Sequence, residues 1–419
     1  MIRNNGITRI LSKNFSQIRN SKSKPFPVPV LESPLVPKDC SIRETISHVL
    51  SKYNEKNSFY LVHLQNVVSQ FERWQLNLPS ILPHYAVKSN PDRRIIQTLS
   101  SLGANFDCAS MKEIQEVLSI TKDPKRIVFA HPFKVPHHLE FAATAGVDRM
   151  TADNVSELEK IRFFHKNAKV QIRMKPDDSN SLCKFSAKFG ATLEEAFEML
   201  DYAKRYNMEV VGTSFHVGSG CQSSSAFSIV LEDCAKVFTR GIEMGFPMTV
   251  LNIGGGFPGL GGSAGDSFEQ MAEVINESIQ SKFANFKDLR LMAEPGRFFS
   301  SGAFTLVTNL FGKKEYVENG VRGFKYYLDE GVYGAFNCTI FDHAKFSLEV
   351  LKPRIDSRRF NSVFWGPTCD SMDKIGEFDM PELFVGDTLF VQNFGSYTSA
   401  SSTEFNGFKN TSRYYVASD

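Results

Sequence analysis

The chain has 419 residues, of which 42% are hydrophobic and 22% charged, as in an ordinary globular protein with about two or three domains. Its formal net charge of +2 provides no field that would attract nucleic acid, and no apolar run reaches the roughly 20 residues of a membrane-spanning helix. The seven cysteines are scattered and never form a C-x-x-C pair, which argues against zinc and against disulfides. We therefore expect a reducing compartment, the cytoplasm.

The first 37 residues differ in composition from the rest of the chain. No acidic residue occurs before Glu32, and several apolar side chains of this segment fall on one helical face. A basic, acid-free amphipathic start is typical of a mitochondrial transit peptide, although a disordered basic tail has the same composition. Five prolines from Pro25 to Pro37 then predict an extended linker. We therefore place residues 1–37 outside the fold.

Short apolar runs alternate with helical segments over most of the next 260 residues. R-I-V-F-A is followed by H-H-L-E-F-A-A-T-A-G, for example, and T-V-L-N-I-G-G-G by F-E-Q-M-A-E-V-I-N. Such alternation predicts parallel strands joined by right-handed crossovers. The number of units over about 240 residues indicates closure, so we predict a (β/α)8 barrel within residues 38–299.

Beyond Arg297 the helical periodicity weakens and β-prone runs cluster. These runs are A-F-T-L-V-T-N-L, F-K-Y-Y-L, S-V-F-W-G and D-T-L-F-V-Q-N. They predict a second, antiparallel β domain over residues 300–419. A helix, I-R-E-T-I-S-H-V-L-S-K-Y, and a strand, S-F-Y-L-V-H-L, precede the barrel and are candidates to complete this second domain.

The stretch P-H-Y-A-V-K-S-N ends a buried strand with a lysine, Lys88. A buried ammonium is costly, so this amine needs a partner or a use. One interpretation is a lysine with a lowered pKa that forms a Schiff base with an aldehyde such as pyridoxal phosphate. The other is a strand-end lysine whose long side chain extends to water.

Further polar and glycine residues follow predicted barrel strands at the rim where barrel enzymes build active sites. With Lys88 they are Asp107, Arg173, His216, Gly254 to Gly256, Glu294 and Arg297. The glycines offer bare backbone N–H groups to a phosphate, and Ser219 and Arg297 add donors and charge. Each also has a structural explanation: a tight turn for the glycines, an ion pair between Glu294 and Arg297, and a core position for His216.

Two loop-like stretches of the second domain also carry candidate groups. F-D-H-A contains Asp342, and W-G-P-T-C-D-S-M-D contains Cys369, Asp370 and Asp373. Two carboxylates near one pocket would attract a cationic substrate, and Cys369 would be a proton donor to carbon. Turn aspartates and a small buried cysteine are the plainer alternatives.

Nine motifs in order resemble the eukaryotic ornithine decarboxylase family over about residues 40–416. They are Y-A-V-K, F-D-C-A-S, S-F-H-V-G-S-G-C, I-G-G-G-F-P-G, A-E-P-G-R, G-V-Y-G-A-F-N-C, F-D-H-A, W-G-P-T-C-D and F-N-G-F. The resemblance implies an alanine-racemase-like barrel with a C-terminal β domain and pyridoxal 5'-phosphate as the cofactor. It also implies decarboxylation of L-ornithine to putrescine, a step of polyamine biosynthesis.

The resemblance implies roles for individual residues of the barrel. Lys88 would bind the cofactor's aldehyde, Glu294 would face the pyridine nitrogen, and His216 would stack on the ring. The phosphate cradle would be made by Ser219, Gly255, Gly256, Arg297 and Tyr397, with Asp107 and Arg173 as supports.

The resemblance also implies a homodimer that shares its active sites. Cys369, which returns a proton to the substrate carbon, would then act on the site of the other chain. The implied substrate contacts are Asp342, Asp370 and, in F-N-G-F, Phe405, and the implied intersubunit salt bridge joins Lys188 to Asp373. An antizyme-like regulator is a further implied partner, and no metal is implied.

Several positions depart from the family pattern without removing an implied catalytic group. They are His84, Ser89, His131, Phe133, Asn252, Phe341 and Ser396. These departures leave open a decarboxylase of lysine or another basic amino acid. A non-catalytic paralogue like the antizyme inhibitors is the other alternative. The retained site residues favour an enzyme, and two retained carboxylates, Asp342 and Asp370, favour a short diamino acid.

Overall fold

The computed structural model describes residues 35–36, 40–261, 265–353 and 358–416. The predicted transit peptide or tail and most of the proline linker lie outside these residues. The described chain forms a closed eight-stranded parallel barrel and a separate nine-stranded sheet, which confirms the predicted fold class. None of the described helices has the length and apolar character to cross a membrane.

The barrel strands follow one another around the barrel in chain order, and the last pairs with the first. They are Ile81–Ala86, Asn105–Cys108, Ile127–Phe129, Arg149–Ala152, Lys169–Arg173, Glu209–Ser214, Val250–Asn252 and Arg290–Ala293. Small and medium apolar side chains such as Val128, Val211 and Met292 form a buried cluster of their own on these strands. Such near-continuous apolar runs are what a parallel sheet buried on both faces requires.

Seven helices connect successive barrel strands, namely Arg93–Leu102, Met111–Thr121, Pro136–Ala145, Val155–Phe164, Leu193–Arg205, Ser225–Glu243 and Phe268–Phe283. Local sequence fixes several of their starts: Thr192 and Ser267 form capping boxes with Glu195 and Gln270. The helix Leu64–Asn77, which precedes the barrel, packs against the first and the last of these seven and so closes the outer ring.

The second sheet consists of Leu35–Val36, Phe59–Val62, Phe304–Glu318, Val321–Leu328, Glu349–Val350, Phe360–Trp365, Lys374–Met380, Thr388–Val391 and Ser412–Val416. Most pairs are antiparallel, as expected, but Val321–Leu328 pairs in parallel with Phe360–Trp365. Parallel pairing needs a long crossover, and the intervening segment, which contains the short helices Ala335–Asn337 and Cys338–Phe341, provides it. The sheet is therefore mixed, not purely antiparallel as predicted.

The strand Phe59–Val62 belongs to this second sheet although it precedes the barrel. It pairs antiparallel with the start of Phe304–Glu318 and parallel with Ser412–Val416. The helix Ile42–Lys52 packs with it through Ile46 and Val49, which share a buried cluster with Phe59 and Leu61. The beginning and the end of the described chain thus meet in one sheet.

An aromatic core beneath the barrel rim anchors the rim loops. Trp74 contacts four phenylalanine rings at centroid distances of 4.9–6.0 Å: those of Phe257, Phe268, Phe298 and Phe299. Phe257 directly follows the three glycines, and Phe298 and Phe299 directly follow Arg297. Burial of these rings therefore fixes where both loops leave the core.

Candidate active site

The structure places the predicted barrel residues at the carboxyl ends of the strands. Lys88 lies in a one-turn helix, Val87–Ser89, that follows the first strand directly. The others lie within or just after later strands: Asp107, Arg173, His216, Gly254 to Gly256 and Glu294. Sequence motifs far apart in the chain thus meet at the carboxyl-terminal opening of the barrel, called the barrel mouth below. Barrel enzymes have their active sites at this end.

Lys88 and Asp107 form an ion pair at this mouth. Asp107 is fully buried and accepts a hydrogen bond from the Lys88 ammonium, while the lysine side chain is 39% exposed toward the opening. Burial opposes the charge on Lys88, but the negative charges of Asp107 and Glu294 outweigh it, so the pKa of Lys88 is raised. The expectation of a lowered lysine pKa is therefore wrong, because the neighbouring strand supplies a carboxylate.

Glu294 is the second buried carboxylate of the site. Burial and the charge of Asp107 raise the pKa of Glu294 to about 7, against the opposing charges of Lys88 and Arg173. Its Oε1 accepts a 2.7 Å hydrogen bond from the side-chain amide of Asn252. The predicted alternative, an ion pair between Glu294 and Arg297, is not formed, because Arg297 pairs with Asp342 instead.

His216 is held as a neutral ring. Its Nδ1 accepts a 3.1 Å hydrogen bond from the backbone N–H of Gly218, which requires an unprotonated nitrogen. Burial and the positive charges of Arg173 and Lys88 place the pKa of His216 well below its ordinary value. The ring is fixed edge to face against Phe185 at 5.0 Å, so it offers a flat uncharged surface at the barrel mouth.

The glycine loop, Gly254 to Gly256, brings backbone without side chains close to Glu294 and His216. Gly254 has a φ of +62°, and a Cβ atom there would overlap the carbonyl oxygen of Phe215. A Cβ atom at Gly255 would lie 2.7 Å from the carbonyl oxygen of Glu294 and 2.8 Å from His216 Nε2. Only glycine therefore fits between the His216 imidazole and the backbone of Glu294.

Arg297, Ser219 and Tyr397 complete the predicted phosphate cradle. Arg297 Nη2 donates to Ser219 Oγ at 2.9 Å, and its guanidinium lies 5.0 Å from the centre of the Tyr397 ring. Tyr397 has a left-handed φ of 55°, which is uncommon for a bulky residue. Its backbone N–H donates to the carbonyl oxygen of Ser89, next to Lys88, at 2.8 Å.

The donor set fits a phosphorylated aldehyde cofactor. Among the buried polar atoms that lack a partner in the described residues, three belong to the predicted site: Arg297 Nε, Arg173 Nε and Asp107 Oδ1. Buried polar atoms are nearly always hydrogen-bonded, so the two guanidinium nitrogens suit an anionic ligand and the carboxylate oxygen suits a hydrogen-bond donor. Lys88 would supply the amine for the aldehyde of pyridoxal phosphate, and these groups fit the rest of that cofactor.

A cavity of about 600 Å³ opens beside the cradle. Arg297, Asp342, Cys338 and Ser396 are among its lining residues. Asp342 lies at its wall, where its Oδ1 accepts a 2.6 Å hydrogen bond from Arg297 Nη2. The carboxylate predicted to bind the substrate's distal ammonium is thus joined to the cradle within one chain.

The other predicted substrate residues lie apart from this mouth in a single chain. Asp370 accepts hydrogen bonds from Tyr333 Oη and from the backbone N–H of Met372, and Tyr333 stacks on Phe405 at 4.4 Å. Cys369 is exposed. No contact of Cys369, Asp370 or Phe405 with the barrel rim occurs among the described residues, so one chain does not bring them to Lys88.

The predicted partners Lys188 and Asp373 do not meet within the described chain either. Lys188 is exposed and lies 5.0 Å from the Phe189 ring. Asp373 is buried and accepts hydrogen bonds from the backbone N–H groups of Val332 and Thr368 and from the Thr368 hydroxyl. Their pairing stays a prediction that concerns two chains.

The departures from the family pattern divide into exposed and buried positions. Phe341 and Phe133 are exposed, and His131 packs edge to face on Phe189 at 5.7 Å. His84 is buried, where desolvation first and the charge of Arg149 second lower its pKa to about 3. Burial and nearby positive charges, that of Lys134 first, lower the pKa of the half-buried His131.

Two buried departures, Ser89 and Ser396, belong to one network. Ser300 Oγ lies 3.3 Å from Ser89 Oγ and 2.7 Å from Ser396 Oγ. Ser89 also donates to the carbonyl oxygen of Ala86 at 2.9 Å. The network underlies the Lys88 turn, and sequence reasoning missed it because its three hydroxyls come from three separate segments.

Sequence reasoning did not assign Asn252 and Gln171, which are linked to Glu294, or Tyr333, which donates to Asp370. Asn252 precedes the three glycines and was visible as a departure, and Tyr333 lies in the motif G-V-Y-G-A-F-N-C. Gln171 gave a weaker signal: a polar residue in the middle of the apolar strand V-Q-I-R-M. A buried polar side chain on a barrel strand needs a partner, and that requirement points to a network.

Replacing Gly255 with alanine is expected to raise the dissociation constant of pyridoxal phosphate at least about tenfold, which corresponds to 1.4 kcal/mol. The added methyl group would push against the Glu294 carbonyl and the His216 ring. Fluorescence titration of the full chain with the cofactor measures the change. Gly376→Ala in the second sheet is the control, because its φ is not left-handed and the nearest atom to a Cβ there is the Phe378 ring at 3.1 Å. Unchanged cofactor affinity in Gly255→Ala would contradict the assignment of this loop.

Comparison with known proteins agrees with the cofactor expected from this geometry. The family model described as "Pyridoxal-dependent decarboxylase, pyridoxal binding domain" matches residues 64–301. An ornithine decarboxylase of Mus pahari is 41% identical over 381 residues, which are 88% of this chain and 82% of that protein. An antizyme inhibitor 2 of Xenopus laevis is also 41% identical, over 90% of this chain and 84% of that protein.

Solved structures resemble the fold over nearly the whole chain. The arginine decarboxylase of Paramecium bursaria Chlorella virus aligns with a TM-score of 0.84 and 34% identity, over 90% of this chain and 100% of that one. The lysine/ornithine decarboxylase of Vibrio vulnificus complexed with putrescine aligns with a TM-score of 0.80 and 30% identity, over 89% and 98%. The predicted cofactor, pyridoxal phosphate, is confirmed by the family match.

Proposed function

Because the chain belongs to the eukaryotic ornithine decarboxylase family of pyridoxal-dependent amino-acid decarboxylases, we propose that it converts L-ornithine to putrescine. The observation that carries the choice of substrate is the wall position of Asp342 in the cavity beside the cradle. A carboxylate at fixed reach from the cofactor suits a short side chain that ends in an ammonium. The reducing compartment predicted from the cysteines agrees with seven unpaired thiols, and we place the enzyme in the cytoplasm.

The ion pair of Lys88 and Asp107 holds the amine in place as an ammonium, since the carboxylate raises the pKa of Lys88. A protonated amine cannot attack an aldehyde, so Nζ would have to lose a proton first, and the Asp107 carboxylate that accepts the Nζ hydrogen bond lies next to that proton. Asp107 is fully buried, so this exchange is shielded from water on the carboxylate side. Asp107 therefore both holds the amine in position and governs its proton.

Three side chains orient the cofactor and regulate its charge. Pyridoxal phosphate, when bound, supplies a ring that accepts the electron pair of the broken bond to the carboxyl group. Glu294, with a pKa near 7, is suited to hold a proton at the ring nitrogen, and neutral His216 offers its face without a competing charge. Arg297 and the glycine loop neutralise and position the phosphate.

Cys369 and Asp370 would act from a second copy of the chain. In one chain they form a surface group with the half-buried Tyr333 and the exposed Phe405 and Met372. A homodimer that covers this apolar surface would bring a proton donor and a second carboxylate to the partner's barrel mouth. Binding of an antizyme-like regulator is a related proposal, supported by the antizyme inhibitor among the relatives.

Turnover of ornithine, lysine, arginine and diaminopimelate, measured side by side, tests the substrate. We expect kcat/KM for ornithine to exceed that for lysine at least about tenfold, since misplacing one methylene group costs about 1–3 kcal/mol. Lysine or arginine preferred over ornithine would overturn the choice, and the solved arginine and lysine/ornithine decarboxylases make these the natural competitors. Cofactor binding without turnover of any of the four would favour the antizyme-inhibitor-like alternative.

A further inference from the structure

A buried amide network links the carboxylate of the site to the glycine loop. Asn252 is fully buried at the end of its strand, and its Nδ2 donates to Glu294 Oε1 at 2.7 Å and to Gln171 Oε1 at 3.0 Å. Its Oδ1 accepts a hydrogen bond from the backbone N–H of Gly254 at 3.0 Å. One side chain thus touches both the group that faces the cofactor ring and the loop that faces its phosphate.

The orientation of this amide follows from chemistry. A backbone N–H can only donate, so the Asn252 atom that faces Gly254 must be the oxygen. The NH2 group must then face Glu294 and Gln171, and both of its hydrogens find acceptors. Gln171 is fixed in turn, because its Nε2 lies 3.6 Å from the Met292 sulfur and its oxygen is left for Asn252.

The hydrogen bond from Asn252 to Oε1 determines which carboxylate oxygen of Glu294 is available to a ligand. The backbone N–H of Glu294 donates to the carbonyl oxygen of Gly254 at 2.6 Å, which ties the same two segments a second time. With Oε1 taken by the amide, Oε2 is the oxygen available to a ring nitrogen. The charged groups that act on Glu294 are Asp107, Lys88 and Arg173, while Asn252 adds a donor without a charge.

We propose that Asn252 is a positioning residue that joins Glu294 and the glycine loop into one unit and keeps Glu294 Oε2 directed at the cofactor ring at every pH. An aspartate, which the family pattern has here, could donate to Glu294 only while protonated. The amide donates without a proton of its own to lose. The site of this chain therefore contains one titrating group fewer than the same site with an acid at residue 252.

This inference deepens the proposed function and rests on it only through the cofactor. The test is equilibrium dialysis of full-length wild-type protein, Asn252→Asp and Asn252→Leu with pyridoxal phosphate across a range of pH. Asn252→Leu lacks all three side-chain hydrogen bonds, and we expect its dissociation constant to exceed the wild-type value at least about tenfold at every pH. Asn167→Asp, at an exposed position before the strand Lys169–Arg173, controls for the added charge.

Asn252→Asp is expected to show a pH dependence that a merely structural role would not produce. Two carboxylates in hydrogen-bond contact cannot both ionise readily, so the pair keeps one shared proton up to a raised upper pKa. On the acidic side the protonated aspartate replaces the amide, and the cofactor affinity should match the wild type. On the alkaline side the proton is lost, and the ratio of the two dissociation constants should rise at least about tenfold.

Infrared titration of the cofactor-free chain provides a second readout. Asn252→Asp should keep a protonated carboxyl group to a higher pH than the wild type, in which Glu294 has a pKa of about 7, and this alkaline signal should disappear in the double variant Asn252→Asp, Glu294→Gln. Wild-type affinity in Asn252→Leu at every pH, or a constant ratio for Asn252→Asp, would overturn the inference. A wild type that binds pyridoxal phosphate but does not convert ornithine would overturn only the proposed substrate, so the two failures are distinguishable.

Discussion

Lys88→Ala is expected to lower ornithine decarboxylation at least about 1000-fold, because it removes the amine proposed to bind the cofactor's aldehyde. Sodium borohydride reduction followed by mass spectrometry should find a pyridoxyl group on Lys88 of the wild type and on no lysine of the variant. Lys236→Ala is the matched control, since Lys236 forms an exposed ion pair with Asp233 on an outer helix.

Lys88→Ala leaves the buried Asp107 carboxylate without the Lys88 ammonium, so the stability of the variant has to be measured together with its activity. Removing one member of a buried pair typically destabilises a protein by about 3–5 kcal/mol. The double variant Lys88→Ala, Asp107→Asn removes the unpaired charge and should recover stability without recovering activity. Turnover within about tenfold of the wild type in Lys88→Ala would contradict the role of this lysine.

Mixing two inactive variants is expected to restore activity if the active site is shared between two chains. Lys88→Ala and Cys369→Ala each damage both sites of their own homodimers. Random exchange yields about half heterodimers, each with one undamaged site and one doubly damaged site, so about a quarter of wild-type activity should return. Ornithine turnover after dissociation and reassociation of differently tagged chains measures the recovery.

The control pairs Lys88→Ala with Glu294→Gln, because both changes lie in the barrel of one chain. Each site of that heterodimer carries one damaged group, so no activity should return. Recovery in this control, or none with Cys369→Ala although heterodimers are captured by both tags, would show that Cys369 does not act across chains. Exposure of Cys369 in a single chain is the observation that makes this experiment decisive.

Much of the barrel and its rim could be predicted because strand ends carry characteristic residues. Ile127–Phe129 matches the predicted run R-I-V-F-A, and Lys88, Arg173 and Glu294 follow apolar runs as expected. Periodicity reports burial along one segment, so it was sufficient for strands buried on both faces. Periodicity did not predict the strand Lys374–Met380, because its alternating exposed residues give it the composition of a loop.

Groups that acquire their properties from other segments could not be predicted. The pKa of Lys88 depends on Asp107 of the adjacent strand, and the pairing of Arg297 depends on Asp342 of the second domain. Sequence alone weighed Arg297 against Glu294, the nearest carboxylate along the chain. Proximity in the chain was a poor guide here, because the barrel and the sheet determine which charges meet.

The early strand Phe59–Val62 also has a consequence for biosynthesis. Its four residues are all buried, yet both of its neighbours are translated after the barrel, about 240 residues later for the nearer one. At about 5–20 residues per second the ribosome needs roughly 12–50 s to deliver that neighbour. During this interval the apolar strand Phe59–Val62 has left the ribosome without the two strands that pair with it. The nascent polypeptide is therefore expected to need a chaperone until its C-terminal third is released.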